Sequence, residues 1–417
     1  MAYGDSPFDE PLRSAWHGFC EQLKQCGDLV FKDHNPASSI QRADGFRFLT
    51  QNLSQAFDLA LETKDTKYPA IHAFCAPDRK LGGDNADFIY LQAWIDGQSV
   101  YKITGNKGTA RFINFTVNGP RMATDAYWGT DFRNLHEPFG DTPEANIFGH
   151  ELQTEWDGSF VLYVGGPRRG PNWLPTTPGS RKLFLRQGFD RWDEESAQFR
   201  IERIDMDTPR PVPTHQDILD AVAWAREFIS GCMNDWPDQP LGVAHALKDD
   251  YPLNRFPGMG STTTGAAEER DQRRGRFITN MHWRLARDEA MIVEFANYDG
   301  FWMFTNMGVF WNSMDYAYRN VSYSPSRAVV DSDGKVRLVM THADPGYHNW
   351  LDTQGFEEGY LTYRNILSRD YPPIVTRVVK LSDLAASLPS DCRKVTAGER
   401  HRQLMDRFHG IRRRYRI

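Results

Sequence analysis

Five residues whose side chains can do chemistry fall within nine positions: Asp344, His348, Asn349, Trp350 and Asp352, with Arg364 following twelve positions later. Two carboxylates beside an imidazole suit general acid/base work, with Asp352 and His348 moving protons, Asp344 in support, and a guanidinium clamping an anionic substrate. The same residues also suit a purely structural role. Asp in Asp-Pro-Gly is turn chemistry, Asn caps loops, and Trp-Leu anchors a loop in a core. Two readings therefore stand side by side. One is a small-molecule catabolic enzyme, an acid/base hydrolase or lyase. The other is a non-catalytic ligand-binding or assembly protein whose Asn-Trp-Leu loops are scaffold.

Weaker patterns add little. His150 and Glu151 are adjacent, so on a strand they point to opposite faces, and no HExxH-type spacing links them to Glu155, His136 or Asp131. No metal and no cofactor are expected. The Gly-rich, basic run Gly165 to Pro171 lacks the Lys-Ser/Thr ending of a phosphate loop, and Gly-x-Ser-x-Gly does not occur.

The elements that must position these residues are repeated. Asp157-Gly158, Asn172-Trp173-Leu174 and Arg186 recur in order as Asp333-Gly334, Asn349-Trp350-Leu351 and Arg364, and Asp96-Gly97 has a counterpart in Asp299-Gly300. Each copy reads as strand, Asp-Gly turn, strand, an irregular loop closed by Asn-Trp-Leu, and a strand carrying Arg. Residues present in both copies belong to the shared scaffold. The asymmetric ones, Asp352 opposite Pro175 and His348 opposite Pro171, are the stronger candidates for function. A cleft between the units would have Trp173 and Trp350 as walls, with Asn349, Arg364 and Arg186 orienting a small, anionic or sugar-like ligand.

The expected fold class is mainly β with helical segments (α+β): two related β-sandwich or jelly-roll-like units joined and covered by helices. Residues 1–80 form a helical region, 81–208 the first β unit, 209–286 a helical and loop connection, 287–385 the second β unit, and 386–417 a basic amphipathic helix. In that last stretch, from residue 393, nine Lys/Arg face two acidic residues, with Leu404, Phe408, Ile411 and Tyr415 at helical spacing. Because the rest of the chain is acidic, this helix is expected to dock on its own fold or on a partner subunit, with Arg407, Arg412, Arg413 and Arg414 facing acidic groups.

The strings Asp84-Asn85 with Asp87, Asn172 to Pro175, Asp344 to Thr353 and Thr376 to Leu381 resemble the bacterial family known as domain of unknown function 1214, which often accompanies domain of unknown function 1254. The resemblance implies a β-dominated, two-part architecture and no established chemistry. It departs from the family at Phe356, where members frequently carry His after the glycine.

Composition bounds the remaining possibilities. A 417-residue chain with 13% aromatic and 25% charged residues is an ordered globular protein of more than one domain. Its net charge of −6 carries no signature of nucleic-acid binding, and no apolar run spans a bilayer. Five cysteines without a CxxC pair suggest reduced thiols and a cytoplasmic location. The expected partners are a small-molecule ligand and a second copy of the chain, with neither nucleic acid nor membrane.

Overall fold

A computed structural model describes residues 6–120, 141–246, 253–256, 276–366, 368 and 371–416. His136 and Asp131 lie outside this set.

The first unit contains eight strands: β2 (Phe88–Trp94), β3 (Tyr101–Asn106), β4 (Phe112–Gly119), β5 (Thr142–Phe148), β6 (Ser159–Val164), β7 (Trp173–Leu174), β8 (Lys182–Gly188) and β9 (Gln198–Arg203). A short β1 (His72–Cys75) pairs with β2, giving one sheet in the order β1-β2-β8-β4-β5 and a second in the order β7-β6-β3-β9. The second unit has β10 (Arg276–Arg284), β11 (Glu289–Ala296), β12 (Phe301–Met307), β13 (Ser322–Tyr323), β14 (Lys335–Thr341), β15 (Trp350–Asp352), β16 (Glu358–Ile366) and β17 (Val375–Lys380). Its sheets run β10-β16-β12-β13 and β15-β14-β11-β17. Adding eight to each strand number of the first unit, from β2 onward, reproduces the second.

The duplication extends to register. Arg186 lies opposite the third residues of both its neighbours, Tyr90 and Asn114, and Arg364 opposite the third residues of both of its own, Ile278 and Met303. The β6–β7 and β14–β15 pairs are both parallel. Gly158 and Gly334 turn the matching hairpins at φ 83° and 80°, which a residue with a Cβ adopts only under strain.

Alternation along the strands builds each core. Ile113, Phe115, Val117, Leu183 and Leu185 of one first-unit sheet pack on Ile103, Leu162, Val164 and Leu174 of the other. The second unit does the same with Met281, Trp283, Trp302, Phe304 and Leu361 against Val293, Phe295, Leu338 and Leu351. Both units are therefore two-sheet sandwiches with apolar interiors. Helices α1 (Asp9–Asp28), α2 (Ser39–Phe57) and α3 (His215–Ala246) share a third core with the outward-facing Phe88, Tyr90, Trp94, Phe301 and Met303. Phe88 and Phe301 stack at 6.2 Å, so the two units meet through the outer faces of the sheets that hold β2 and β12.

Two element boundaries differ from the sequence reading. β1 falls in the stretch expected to be helical. β10 begins at Arg276, ahead of the expected start of the second unit, because its outward residues Asn280 and His282 dilute the apolar signal carried by Met281 and Trp283.

The C-terminal helix α4 (Ala397–Tyr415) opens with a capping box between Thr396 and Glu399 and lies across both units. Its buried face is only partly the expected apolar stripe. Ile411 is buried, but Leu404 and Phe408 are half-buried, and Arg400, Arg407 and Arg414 at seven-residue spacing fill the rest. Their guanidiniums find flat partners: Arg407 and Arg414 lie 5.0 and 4.7 Å from the Trp192 ring, and Arg327 approaches the same ring at 4.4 Å. Arg407 donates to the Tyr316 and Ser322 carbonyls rather than to a carboxylate, and burial together with neighbouring Arg327 lowers its pKa. Arg414 sits 3.6 Å from Asp87, and Arg413 sits 3.7 Å from Glu195 on the surface.

Candidate functional site

The carboxylates and imidazole of the second-unit loop are each engaged in holding the chain together. Asp344 accepts the Gly346 amide at 2.9 Å and the Arg400 Nε at 2.8 Å, so it receives α4. His348 contacts Asn349 Oδ1 through Nδ1 at 3.1 Å, and its carbonyl accepts the Tyr323 hydroxyl. Burial lowers the His348 pKa. Asp352 accepts the Gln354 amide at 2.7 Å and pairs with Arg319 at 2.9 Å. Asp344 thus answers Arg400 while Asp352 answers Arg319, two separate arrangements.

Asn349 is a backbone clamp. Its Oδ1 accepts the Val329 amide at 2.8 Å and its Nδ2 donates to the Val329 carbonyl at 2.7 Å. Asn172 treats Gln153 in the same way, at 2.8 and 2.7 Å. The indoles that follow are also matched: Trp173 donates to the Gly165 carbonyl and Trp350 to the Thr341 carbonyl, each at the end of the preceding strand. The two arginines leave the sandwiches for the seam between units. Arg364 donates to the Gly83 carbonyl and to the Tyr90 hydroxyl, and Arg186 lies 4.4 Å over Phe184. Burial raises the Tyr90 pKa, and the charges of Arg364 and Arg186 oppose that rise.

Among the described residues, no group of three or more His, Cys, Asp or Glu side chains is gathered as for a metal, and no helix is long and apolar enough to cross a membrane.

A different set of residues is assembled on the outer face of the first unit's five-stranded sheet. Strand pairing places Tyr90, Arg186, Asn114 and Phe148 in one row, Gln92, Phe184, Thr116 and Asn146 in the next, and Trp94, Lys182 and Asn118 in a third. Asn114 donates to Asn146 Oδ1 at 2.8 Å and to Thr116 Oγ1 at 3.1 Å, and Thr116 in turn donates to Asn146 Oδ1. Lys182 pairs with Asp141 and lies 5.1 Å over the Trp94 ring. Three polar atoms of this face are buried with no partner: Asn114 Oδ1, Asn118 Oδ1 and Trp94 Nε1. Their residues are only 6%, 8% and 4% exposed. A buried polar atom without a hydrogen bond costs about 1–3 kcal/mol, and others among the described residues, Gln55 Oε1, Trp302 Nε1 and Arg364 Nε included, lie elsewhere in the chain. Here two acceptors and one donor share a face that Tyr90, Phe112, Phe148 and Phe184 make otherwise aromatic.

None of these three atoms was singled out in the sequence. The signal was nonetheless present: Asn114, Thr116 and Asn118 alternate with Ile113, Phe115 and Val117 on a strand whose every residue is buried. A strand carrying amides on one face ordinarily turns that face to water.

No family model and no curated protein matches the sequence. Solved structures do. An uncharacterised protein from Burkholderia cenocepacia is 26% identical over 89% of this chain and 98% of that chain, with a TM-score of 0.75. A protein from Vibrio parahaemolyticus is 13% identical over 86% of this chain and 100% of that one, at a TM-score of 0.41. The chain thus shares its overall fold with the Burkholderia protein.

Proposed function

We propose that this chain is a small-molecule-binding protein whose site is the outer face of the first unit's five-stranded sheet, and that its Asn-Trp-Leu loops are scaffold. One observation carries the reading: Asn114 Oδ1, Asn118 Oδ1 and Trp94 Nε1 are buried without partners on one aromatic-lined face. Water alone is a poor occupant of such a face, because a buried water needs two to four polar partners and gains nothing from the rings around it. Support against the acid/base hydrolase or lyase comes from Asp344, His348 and Asp352, each of which is spent on a turn, a neighbouring side chain or an arginine. The chain's matching loops support membership of the domain of unknown function 1214 family, and five cysteines without a CxxC pair support a cytoplasmic location.

The test is a thermal-shift screen of neutral polyols, phenols and heteroaromatic compounds on wild type and on Asn118→Leu. Removing an orphaned acceptor leaves the unliganded variant at least as stable as wild type. A binder should raise the wild-type melting temperature by mass action and raise that of the variant far less. A panel with no hits, or hits indifferent to Asn118, overturns the proposal.

A further inference from the structure

In the second unit, the outer face of the sheet that holds β14 is covered by the chain itself. Ile292 and Val339 are fully buried there against Leu384, Leu388 and Cys392 of the segment after β17, and the Ser332 amide in the adjoining turn donates to Asp391 Oδ2 at 3.0 Å. Register makes Lys102 the first-unit equivalent of Ile292, Tyr163 of Val339 and Trp173 of Trp350. The first-unit face is open. Lys102, Tyr163 and Trp173 are half-buried, and Val161, Arg200 and Glu202 beside them are exposed.

The turn that leads into β6 differs from its copy at one telling position. The Glu155 amide donates to the Ser159 carbonyl at 2.8 Å and the Gly158 amide to the Glu155 carbonyl at 3.0 Å, and Asp331, Lys335 and Gly334 repeat both bonds at 2.8 and 3.0 Å. Asp157 Oδ1 accepts the Ser159 amide at 2.9 Å, as Asp333 Oδ1 accepts the Lys335 amide at 3.2 Å. Where the second unit has Ser332, the first has Trp156, 97% exposed on a turn fixed by these bonds. Serine suffices for such a turn. An indole offers about 150–250 Å² for burial, and here the fold buries almost none of it.

We infer that this turn and this open face dock on a second copy of the chain, each Trp156 seating against the other copy. Charge complementarity selects that occupant. Trp156 lies between exposed Glu155 and Asp157 at the start of β6, and the exposed loop that leaves the other end of β6 carries Arg168 and Arg169. A two-fold axis that sets β6 antiparallel to its copy brings each acidic turn to a basic loop, twice over, and a contact of that kind closes at a dimer. Between the two ends, Val161, Tyr163 and Trp173 supply apolar atoms, while Arg200 and the Lys102–Glu202 pair, 3.5 Å apart, lie toward β9. Dimensions show how much rests on the ends. The six residues of β6 span about 20 Å and the three strand spacings from β7 to β9 about 14 Å, a patch well short of the roughly 800 Å² per partner of a standard interface. The turn and the loop supply the remainder, which gives Trp156 the weight of an anchor.

Sedimentation velocity on the full chain tests this. Wild type should sediment as a concentration-dependent dimer. Trp156→Ser, which copies the matching turn of the second unit, should weaken association about tenfold per site and so about a hundredfold for a dimer that uses two. Its urea midpoint, read where both proteins are monomeric, should equal that of wild type. Arg168→Glu with Arg169→Glu should also dissociate the dimer, and adding Glu155→Arg to that pair should recover part of the affinity, because each turn faces the loop of the other copy. Wild type that remains monomeric at millimolar concentration overturns the inference; Trp156 fluorescence that then responds to a soluble glucan would assign the face to carbohydrate instead. A dimer indifferent to Trp156→Ser overturns this surface as its interface. Early unfolding of the Trp156→Ser monomer overturns it as well, by showing that the indole serves the fold.

Discussion

Replacing Asn349 with alanine isolates the reading that the repeated loops are scaffold. The side chain is 6% exposed and makes two short bonds, accepting from the Val329 amide and donating to its carbonyl. Alanine reaches neither group. An orphaned amide costs about 1–3 kcal/mol and the loss of the second bond about 0.5–1.5 kcal/mol, so the expected destabilisation is about 2–4 kcal/mol. Asn172→Ala should cost a comparable amount, because Asn172 holds Gln153 in the same way and adds a bond to the Val161 carbonyl at 3.0 Å. Asn349→Asp should fall between wild type and alanine, since it keeps the acceptor for the Val329 amide and turns an oxygen on the Val329 carbonyl. Urea unfolding followed by Trp fluorescence reads all three. An Asn349→Ala protein that unfolds at the wild-type midpoint, or loses ligand binding without losing stability, would refute the clamp and return Asn349 to the list of binding residues.

Three further outcomes follow from the contacts. Asp352→Asn should cost at most about 1 kcal/mol, because its ion-pair partner Arg319 is 48% exposed and screened, and it should leave ligand affinity unchanged. A loss of binding would contradict that. Burial lowers the Lys80 pKa to about 8 against an ordinary 10.5, so between those values the unfolded chain holds a proton that the folded chain does not. Stability from this group should therefore rise with pH from about 8 to 10.5, by up to about 1.4 kcal/mol per unit, and wild type should gain on Lys80→Met across that window in paired denaturation curves. A constant difference would show that Lys80 does not titrate there. Deleting residues 398–417 removes Arg407 and Arg414 from the Trp192 ring together with buried Ile411, so the truncated chain should unfold at lower urea and be cut faster by protease between the units; equal resistance would show that α4 is dispensable.

The architecture was legible because turns and landmarks survive duplication. Asp-Gly at residues 157–158 and 333–334 marked hairpins, whereas Asn-Trp-Leu, read as closing a loop, begins the short parallel strands β7 and β15. The candidate site was not legible for two physical reasons. A carboxylate and an imidazole look alike in sequence whether they face a substrate or an arginine, and only α4, folded back from residue 400, shows that Asp344 is taken. Conversely, nothing in the sequence marks Asn114 and Asn118 as buried, because only the helices and the second sandwich packed around that sheet exclude water from its outer face. The arginines of α4 misled in the same way. Their spacing of seven was visible, but Trp192, on which Arg407 and Arg414 stack, lies more than two hundred residues upstream.

The α4 strap also bears on how the chain is made. Tyr415 donates its hydroxyl to the Phe88 carbonyl, joining residues 327 positions apart, and Arg414 reaches Asp87 over the same interval. At ribosomal rates of about 5–20 residues per second, Phe88 emerges roughly 16–65 s before its last partner exists. Each sandwich has its own apolar interior and can close as it leaves the ribosome, but the first must wait with Phe88 uncovered until Phe301 of the second arrives. During that interval the nascent chain presents aromatic surface of the kind chaperones hold. A stop codon in the final twenty residues would then yield two formed sandwiches without their fastening, a product marked for degradation by what it exposes rather than by any failure of its β units to fold.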